Sequence, residues 1–486
     1  MSSYFTDLAQ QYIDGEWRPG TGSWDIIDFN PYDGEKLAAI TIAAVDEIDQ
    51  AYRAAARAQK QWAALNPYAR RAVFEKALRL VEEREGEITD AIIAELGGTH
   101  LKAGFELHLA KEFLRESVHL ALRPEGKILP SPVDGKENRL YREPVGVVGV
   151  ISPFNFPFLL ALKSVAPALA LGNGVVLKPH QNTPIVGGTL VAKIFEDAGL
   201  PGGLLNVVVT DIAEIGDAFI EHPIPKVISF TGSDKVGRHV ATVCAALFKR
   251  SVLELGGNSA IVVLDDADVD YAVDAAVFSR YVHQGQVCMA ANRVLVDRSI
   301  ADAFTEKFVA KVKSLRAGDP RDPGTVIGPV INSRQAESIS AIVEQAIAEG
   351  ATALVHGATT DNLVEPSVLT DVPAASALLR QEVFGPVAFL IPFDGEEEAV
   401  RLVNDTPYGL SGAVHTGDVE RGVAFARKID TGMFHVNDGT VHDEPLVPFG
   451  GEKNSGIGRL NGETTLEAFT TLKWISVQHG RSGFPF

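Results

Sequence analysis

The sequence predicts an α/β protein: two doubly wound parallel-sheet domains in series, with a small β arm. Two observations carry this. From Val145 onward, β-branched runs of strand length alternate with segments of helical apolar spacing, the pattern of β-α-β units. The chain also has 486 residues of which 46% are hydrophobic, enough to bury more than one core.

Taken in order, residues 44–122 are rich in Ala, Glu, Arg and Leu. Apolar residues recur at helical spacing in AAVDEIDQAYRAAARAQKQWAAL and RRAVFEKALRLVEEREGEITDAIIAEL, which predicts two or three packed helices. The stretch RPEGKILPSPVDGKENRLYREP then combines turn residues with charges and reads as an extended arm leaving the domain. Next, VGVVGVISPFNFPFLLALKSVAPALALGNGVVLKPH reads as strand, Pro-bracketed loop, helix closed by Gly172 and Gly174, and second strand. The alternation continues through LLNVVVT, an acidic helix IAEIGDAFIEH, the strand KVISFTGS and the helix VGRHVATVCAALF. It resumes after Glu254 with ANRVLVDR, ADAFTEKFVAKVKSLR and GVAFARKI, a second α/β unit. Near the end, TLKWISVQ alternates like a half-buried strand that could pair with the arm or with another subunit.

Composition removes several classes of function. Lys and Arg number 44 against 63 Asp and Glu, a formal net charge of −19 with no basic run, so neither a nucleic acid nor an anionic membrane surface is an expected partner. The first residues lack a basic start followed by an apolar core, and the longest apolar region, 145–177, is interrupted by Pro153, Pro157, Lys163 and Pro167. With two cysteines, no Cys-x-x-Cys and no His-Glu-x-x-His, no disulfide framework and no metal site are expected, and a reducing cytoplasm fits.

The chemistry must then come from scattered motifs. Cys288 in QGQVCMAANR follows a helical run and has Gly285 beside it, whereas Cys244 sits inside the helical VATVCAALF as an ordinary buried thiol. In VLELGGNSA, Glu254 ends an apolar run and opens onto Gly256-Gly257, a carboxylate for a cleft or, more plainly, a solvated or capping one. A thiol and a carboxylate are the minimum for covalent catalysis followed by base-assisted hydrolysis. Asn155, in PFNFP, projects an amide from an apolar loop at a strand's carboxyl end, where it could donate to an oxyanion or merely make a turn. Neither standard phosphate loop is present. SFTGSDKVGR instead places Gly232, Ser233 and Gly237 at a strand-to-helix joint whose N-terminal amides suit a pyrophosphate.

In order and approximate spacing, PFNFP, VLKP, FTGS, ELGGN, GQVC, EVFGPV, NDTPYGL and PFGGEKNSG resemble the aldehyde dehydrogenase superfamily over essentially the whole chain. The resemblance implies two Rossmann-like units: a dinucleotide-binding domain from 1–122 with 145–253, a catalytic domain at 254–450, and an oligomerisation arm and terminal strand at 123–144 and 468–486. It implies Cys288 as nucleophile, Glu254 as general base and Asn155 as oxyanion amide acting with the Cys288 N–H. For the cofactor it implies Lys178 on the adenosine ribose, Ser233 at the pyrophosphate and Glu382 on the nicotinamide ribose with Phe384 beside it. Phe154, Gln181, Gly232, Gly237 and Leu255 complete the expected cofactor surroundings, and Gly257 is expected to be structural.

An aldehyde substrate, hydrolysis of a thioester to a carboxylic acid, and a homodimer or homotetramer follow from the same resemblance. Two departures matter. Phe154 stands where many relatives have Trp, through a contact that is largely backbone. Gln181 stands where NAD-preferring relatives often carry a Glu that would repel a 2′-phosphate, so NAD use with NADP tolerated is expected. The stretch HVNDGTVHDEPLVPFGG is similar to the branch acting on benzaldehyde, vanillin and salicylaldehyde, and Phe156, Phe158 and Tyr281 are candidates for an aromatic funnel. Aliphatic aldehydes or semialdehydes are the alternative substrates. A non-catalytic dinucleotide-binding protein is the alternative class, against which Cys288, Glu254 and Asn155 jointly argue.

Overall fold

A computed structural model describes residues 4–486. Two main sheets carry the chain, as two-sided burial of its β-branched strands requires. In the first, the spatial order is Glu16–Arg18, Gln11–Ile13, Leu205–Val207, Gly174–Lys178, Val147–Ile151, Val227–Thr231, Arg250–Glu254 and Gly456–Ile457. The five strands from Leu205–Val207 to Arg250–Glu254 are parallel; Gln11–Ile13 and Gly456–Ile457 flank them antiparallel, and Glu16–Arg18 pairs antiparallel with Gln11–Ile13.

The order of these strands decides where a ligand can bind. From Val147–Ile151 the chain steps outward through Gly174–Lys178 to Leu205–Val207, then crosses to Val227–Thr231 and Arg250–Glu254 on the other side. That reversal is a topological switch point, and a crevice opens at the carboxyl ends of the strands beside it. Register aligns those ends: Lys178 pairs with Ile151, Ile151 with Phe230, and Thr231 with Glu254.

The second sheet runs Thr352–Val355, Ser367–Thr370, Val387–Phe393, Ala291–Asp297, Ser259–Val263, Gly412–His415 and His435–Val436, parallel except for its first hairpin. A third, three-stranded sheet joins Lys127–Leu129, Lys136–Pro144 and the terminal Thr470–Gln478, the last two pairing antiparallel along nine residues each. No helix among the described residues is long and apolar enough to cross a membrane.

The helical N-terminal region differs from expectation in number. Four helices form, Val45–Ala64, Pro67–Glu83, Glu85–Leu96 and His100–Leu120, because the second run breaks at Arg84, whose φ is −103°, and residues 100–120 add a helix beyond both runs. The expected acidic helix IAEIGDAFIEH is likewise two single turns, Ile212–Ile215 and Ala218–Glu221, separated by Gly216 at φ 51°. Asn66 and Thr99 cap the second and fourth helices through their side chains, as their residue types favour.

The helix Pro157–Ala170 lies between the first sheet and His100–Leu120 and is buried almost all round. Its first turn would leave amides without partners, and Glu106 supplies them. Glu106 Oε1 accepts from the N–H groups of Phe158 at 2.9 Å and Leu159 at 3.1 Å, while Oε2 accepts from Lys102. Both side chains are wholly buried, and Lys102 Nζ also stands 4.7 Å from the centre of the Phe156 ring. Glu106→Ala would strand the Lys102 ammonium and two amides. It should cost about 3–5 kcal/mol in denaturant unfolding, while Lys102→Met with Glu106→Leu should cost less than the single change.

Candidate active site

A cleft of about 540 Å³ opens at the switch point. Cys288, Glu254 and Asn155 line it together, although 133 residues of sequence separate the first from the last, as 288 minus 155. Phe154, Lys178, Gln181, Gly232, Ser233, Leu255, Glu382 and Phe384 line it as well. Gly237 does not. It is the fourth residue of the helix Asp234–Ala246 and is buried, where a Cβ would come within 2.3 Å of Leu255, so glycine is required there for packing and not for reaching a ligand.

The loop carrying Cys288 is built on an uncommon backbone. His283, Gln284 and Gly285 have φ of 52°, 55° and 71°, three successive left-handed residues of which only the last is a glycine. The latter two are anchored from outside. Gln284 Nε2 donates to Gly97 O at 3.1 Å and Pro329 O at 2.8 Å, and Arg280 Nη2 donates to Gly285 O at 3.0 Å. Gln286 Oε1 accepts from Ile331 N at 3.1 Å, and its carbonyl accepts from Asn155 Nδ2 at 3.0 Å. That last bond fixes the Asn155 amide against the Cys288 loop and uses one of its two N–H groups. The Cys288 N–H makes no hydrogen bond among the described residues.

Glycines let these elements approach. At Gly257 a Cβ would fall 2.5 Å from the carbonyl oxygen of Cys288, and at Gly256 it would fall 2.3 Å from Glu382 Oε2. ELGGN is therefore the surface over which the Cys288 backbone and the Glu382 side chain pass.

Burial governs the electrostatics. Glu254 is pushed up to about 8 chiefly by desolvation, with Lys163 and Arg459 opposing, and neither of its oxygens has a hydrogen-bond partner. Desolvation, then Glu382 and Glu254, push the Cys288 thiol up to about 12. Glu382 rises to about 7 by desolvation, against the N–H of Gly257, which donates to its Oε1 at 3.2 Å. Lys178 falls to about 8, and His180 to about 4 through burial and the neighbouring Lys178.

The donor set fits a dinucleotide. The Lys178 ammonium has no hydrogen bond or ion pair among the described residues, and Glu382 keeps Oε2 without one. Ser233 caps a helix of 13 residues whose N-terminus opens onto the cleft. Phe384 stands edge-on to Phe154 at 5.8 Å, and Gln335 Nε2 holds its carbonyl at 2.9 Å.

Sequence reasoning missed two features here. His180, within KPHQNTP, packs on Phe154 at 5.3 Å and lines the cleft beside Lys178. Arg280 is wholly buried and donates through Nη2 to Gly285 O, Val383 O and Gly385 O, and through Nη1 to Asn292 Oδ1. Nothing in the helix Val269–Tyr281, which also carries Asp270 and Asp274, distinguished Arg280 from a solvated charge.

The aromatic funnel is not built as expected. Phe158 is a core residue, and Tyr281 belongs to the core of the second unit, packing near Phe308 with its hydroxyl on Ser367 O at 3.0 Å. Phe156 is buried against Phe105 and His283. None of the three lines the cleft.

A thiol, an unpartnered buried carboxylate and an amide donor facing a dinucleotide-sized cleft define an enzyme class, and the sequence comparison agrees with it. Residues 17–475 match the aldehyde dehydrogenase family, and the chain belongs to that family. Among its relatives is a benzaldehyde dehydrogenase of Bacillus subtilis, 59% identical over 482 residues and covering 99% of both chains. A vanillin dehydrogenase of Corynebacterium glutamicum is 46% identical, covering 97% of this chain and 98% of its own length. The crystal structure of an NAD-dependent benzaldehyde dehydrogenase from Corynebacterium glutamicum superposes with a TM-score of 0.89 at 43% identity, covering 97% of this chain and 98% of the other.

Gly257→Ala isolates the close approach at Cys288. It should lower aldehyde-oxidising kcat/KM by about 100-fold through displacement of the Cys288 loop, with the thermal midpoint little changed. Unchanged turnover would show that the loop tolerates the shift.

Proposed function

We propose that this protein oxidises aromatic aldehydes of the benzaldehyde and vanillin type to carboxylic acids, using NAD. The observation that carries the reading is the meeting of Cys288, Glu254 and Asn155 on one cleft wall, with Lys178, Ser233 and Glu382 along the rest of it. The aromatic class is supported by the relatives of 59% and 46% identity, whose names are those of benzaldehyde and vanillin dehydrogenases.

Cys288 Sγ gives up its proton to water and attacks the aldehyde carbon, forming a thiohemiacetal as the carbonyl π bond opens onto oxygen. The negative charge on the former carbonyl oxygen is held by the remaining Asn155 N–H and the Cys288 backbone N–H, donors fixed before the reaction begins. When bound, NAD supplies the acceptor for the hydride, held by Lys178 at the adenosine ribose, by Ser233 and its helix N-terminus at the pyrophosphate, and by Glu382 at the nicotinamide ribose. The acyl group then remains on Cys288 as a thioester. Glu254, whose oxygens are free of other partners, takes a proton from water as the water attacks the thioester carbon. The carboxylic acid departs and Cys288 is restored. Gln181 presents a neutral amide at the cleft, which leaves NADP acceptable as a weaker substitute.

The arm supports assembly as a homodimer or homotetramer. Its sheet leaves Ile128, Leu129, Leu472, Trp474 and Ile475 exposed, an apolar surface suited to another subunit.

Three measurements test the reading. Turnover over benzaldehyde, vanillin, salicylaldehyde, hexanal and succinic semialdehyde, each with NAD and NADP, should favour the aryl compounds with NAD; preference for the aliphatic ones would overturn the substrate assignment. Because Glu254 must be ionised to act and its pKa stands at about 8, kcat should rise with pH through that region and fall away below it. Glu254→Gln should keep a first-turnover burst of NADH but lose steady-state rate by roughly 10²–10⁴.

A further inference from the structure

The VHDEP stretch has no part in the mechanism above, yet it supplies half of a buried ion pair. Lys163, on the helix Pro157–Ala170, donates to Asp443 Oδ2 at 2.6 Å, and the two side chains are 2% and 5% exposed. Asp443 Oδ1 is held in turn by Asn461 Nδ2 at 2.8 Å. Desolvating both charges is expensive and often exceeds what their attraction returns, so stability alone is a poor reason for such a pair.

Its place suggests another reason. Lys163 Nζ stands 3.5 Å above the centre of the Phe449 ring and 5.1 Å from that of Phe113. The residue after Phe449 is Gly450, where a Cβ would lie 3.0 Å from Glu254 Oε1. The ammonium is therefore separated from the Glu254 carboxyl by a single packed segment, in an interior where charges act strongly.

We infer that Lys163 is a positioning cation of the active site, held by Asp443 where its charge favours the anionic forms of the Cys288 thiol and the Glu254 carboxyl. The surrounding charges agree. After desolvation, Glu382, Glu254 and Asp443 oppose ionisation of Cys288, and Lys163 acts in its favour. At Glu254, Lys163 and Arg459 favour the anion and Asp443 opposes it. Arg459 is already engaged by Glu452 Oε1 at 2.6 Å and by the carbonyls of Gly451 and Gly458. Asp443 thus fixes Lys163 in place and moderates its field.

This inference rests on the reading of Cys288 as the nucleophile, and thiol alkylation tests it without any substrate. The rate of Cys288 modification by iodoacetamide would be followed against pH in the full chain, with buried Cys244 as the internal control for unfolding. Removing a cation raises a thiol pKa, so Lys163→Met should slow modification roughly tenfold at neutral pH and move the profile to higher pH. Asp443→Asn leaves the cation uncompensated and should shift the profile the opposite way, with faster modification, while Lys163→Arg should stay near the parent. A merely structural pair would move both single variants in the same direction, and that result, or no shift in either, overturns the inference. If Lys163→Met exposes Cys244 and so fails to fold, the direction of the Asp443→Asn shift decides. A parent protein in which Cys288 reacts no faster than Cys244 would overturn the nucleophile reading itself. Failure on every aromatic substrate, with the opposed shifts intact, would overturn only the substrate assignment.

Discussion

The active site depends on one buried guanidinium. Three successive left-handed residues cost about 1–2 kcal/mol for each one that is not glycine, and His283 and Gln284 incur that cost immediately before the nucleophile. Arg280 offsets part of it from beneath through Gly285 O, because hydrogen bonds to a charged group contribute about 1.5–3 kcal/mol each. The same Nη2 that holds Gly285 O also holds the carbonyls of Val383 and Gly385, on either side of Phe384 and next to Glu382. Nucleophile and ribose carboxylate are thereby positioned by one rigid fork. Gly285 is a glycine for the same reason: a Cβ there would meet Arg280 Nη2 at 2.2 Å and Gly385 O at 2.4 Å.

Around that frame the cleft is arranged to hold protons. Glu254, Glu382 and Cys288 are each raised by burial, so at neutral pH much of the acidic inventory is uncharged. Uncharged carboxyls are less costly in an apolar interior than paired ions, and they can be ionised when a step needs a base. The few cations are placed singly: Lys178 at the dinucleotide end and Lys163 behind Glu254. The helix N-terminus at Ser233 adds partial positive charge without adding an ion.

Much of this was legible in the linear sequence. Strand and helix alternation is written in residue periodicity, a local property, so both sheets were expected; the terminal strand had two possible partners, the arm or another subunit, and residues 470–478 pair with 136–144 of the arm. The motif glycines were legible too, because close backbone approach admits almost nothing else. Local periodicity failed where a single backbone angle decides the outcome. Arg84 divides a run that reads as one helix, and Gly216 breaks another into single turns. Gly237 and Tyr281 looked like site residues from the motifs around them; the close approach of Leu255 puts Gly237 into packing, and the Tyr281 side chain points into the core of the second unit.

The sequence by itself determined the layering, the residues able to react and the glycines they must pass, because those follow from periodicity and side-chain chemistry. Tertiary structure alone decided which charges face one another. Lys163 and Asp443 are 280 residues apart, and nothing in either local pattern distinguishes a buried ion pair from two solvated side chains. Arg280 is equally silent in sequence. Desolvation and Coulomb interactions depend on distance and burial in space, and only the folded chain sets those.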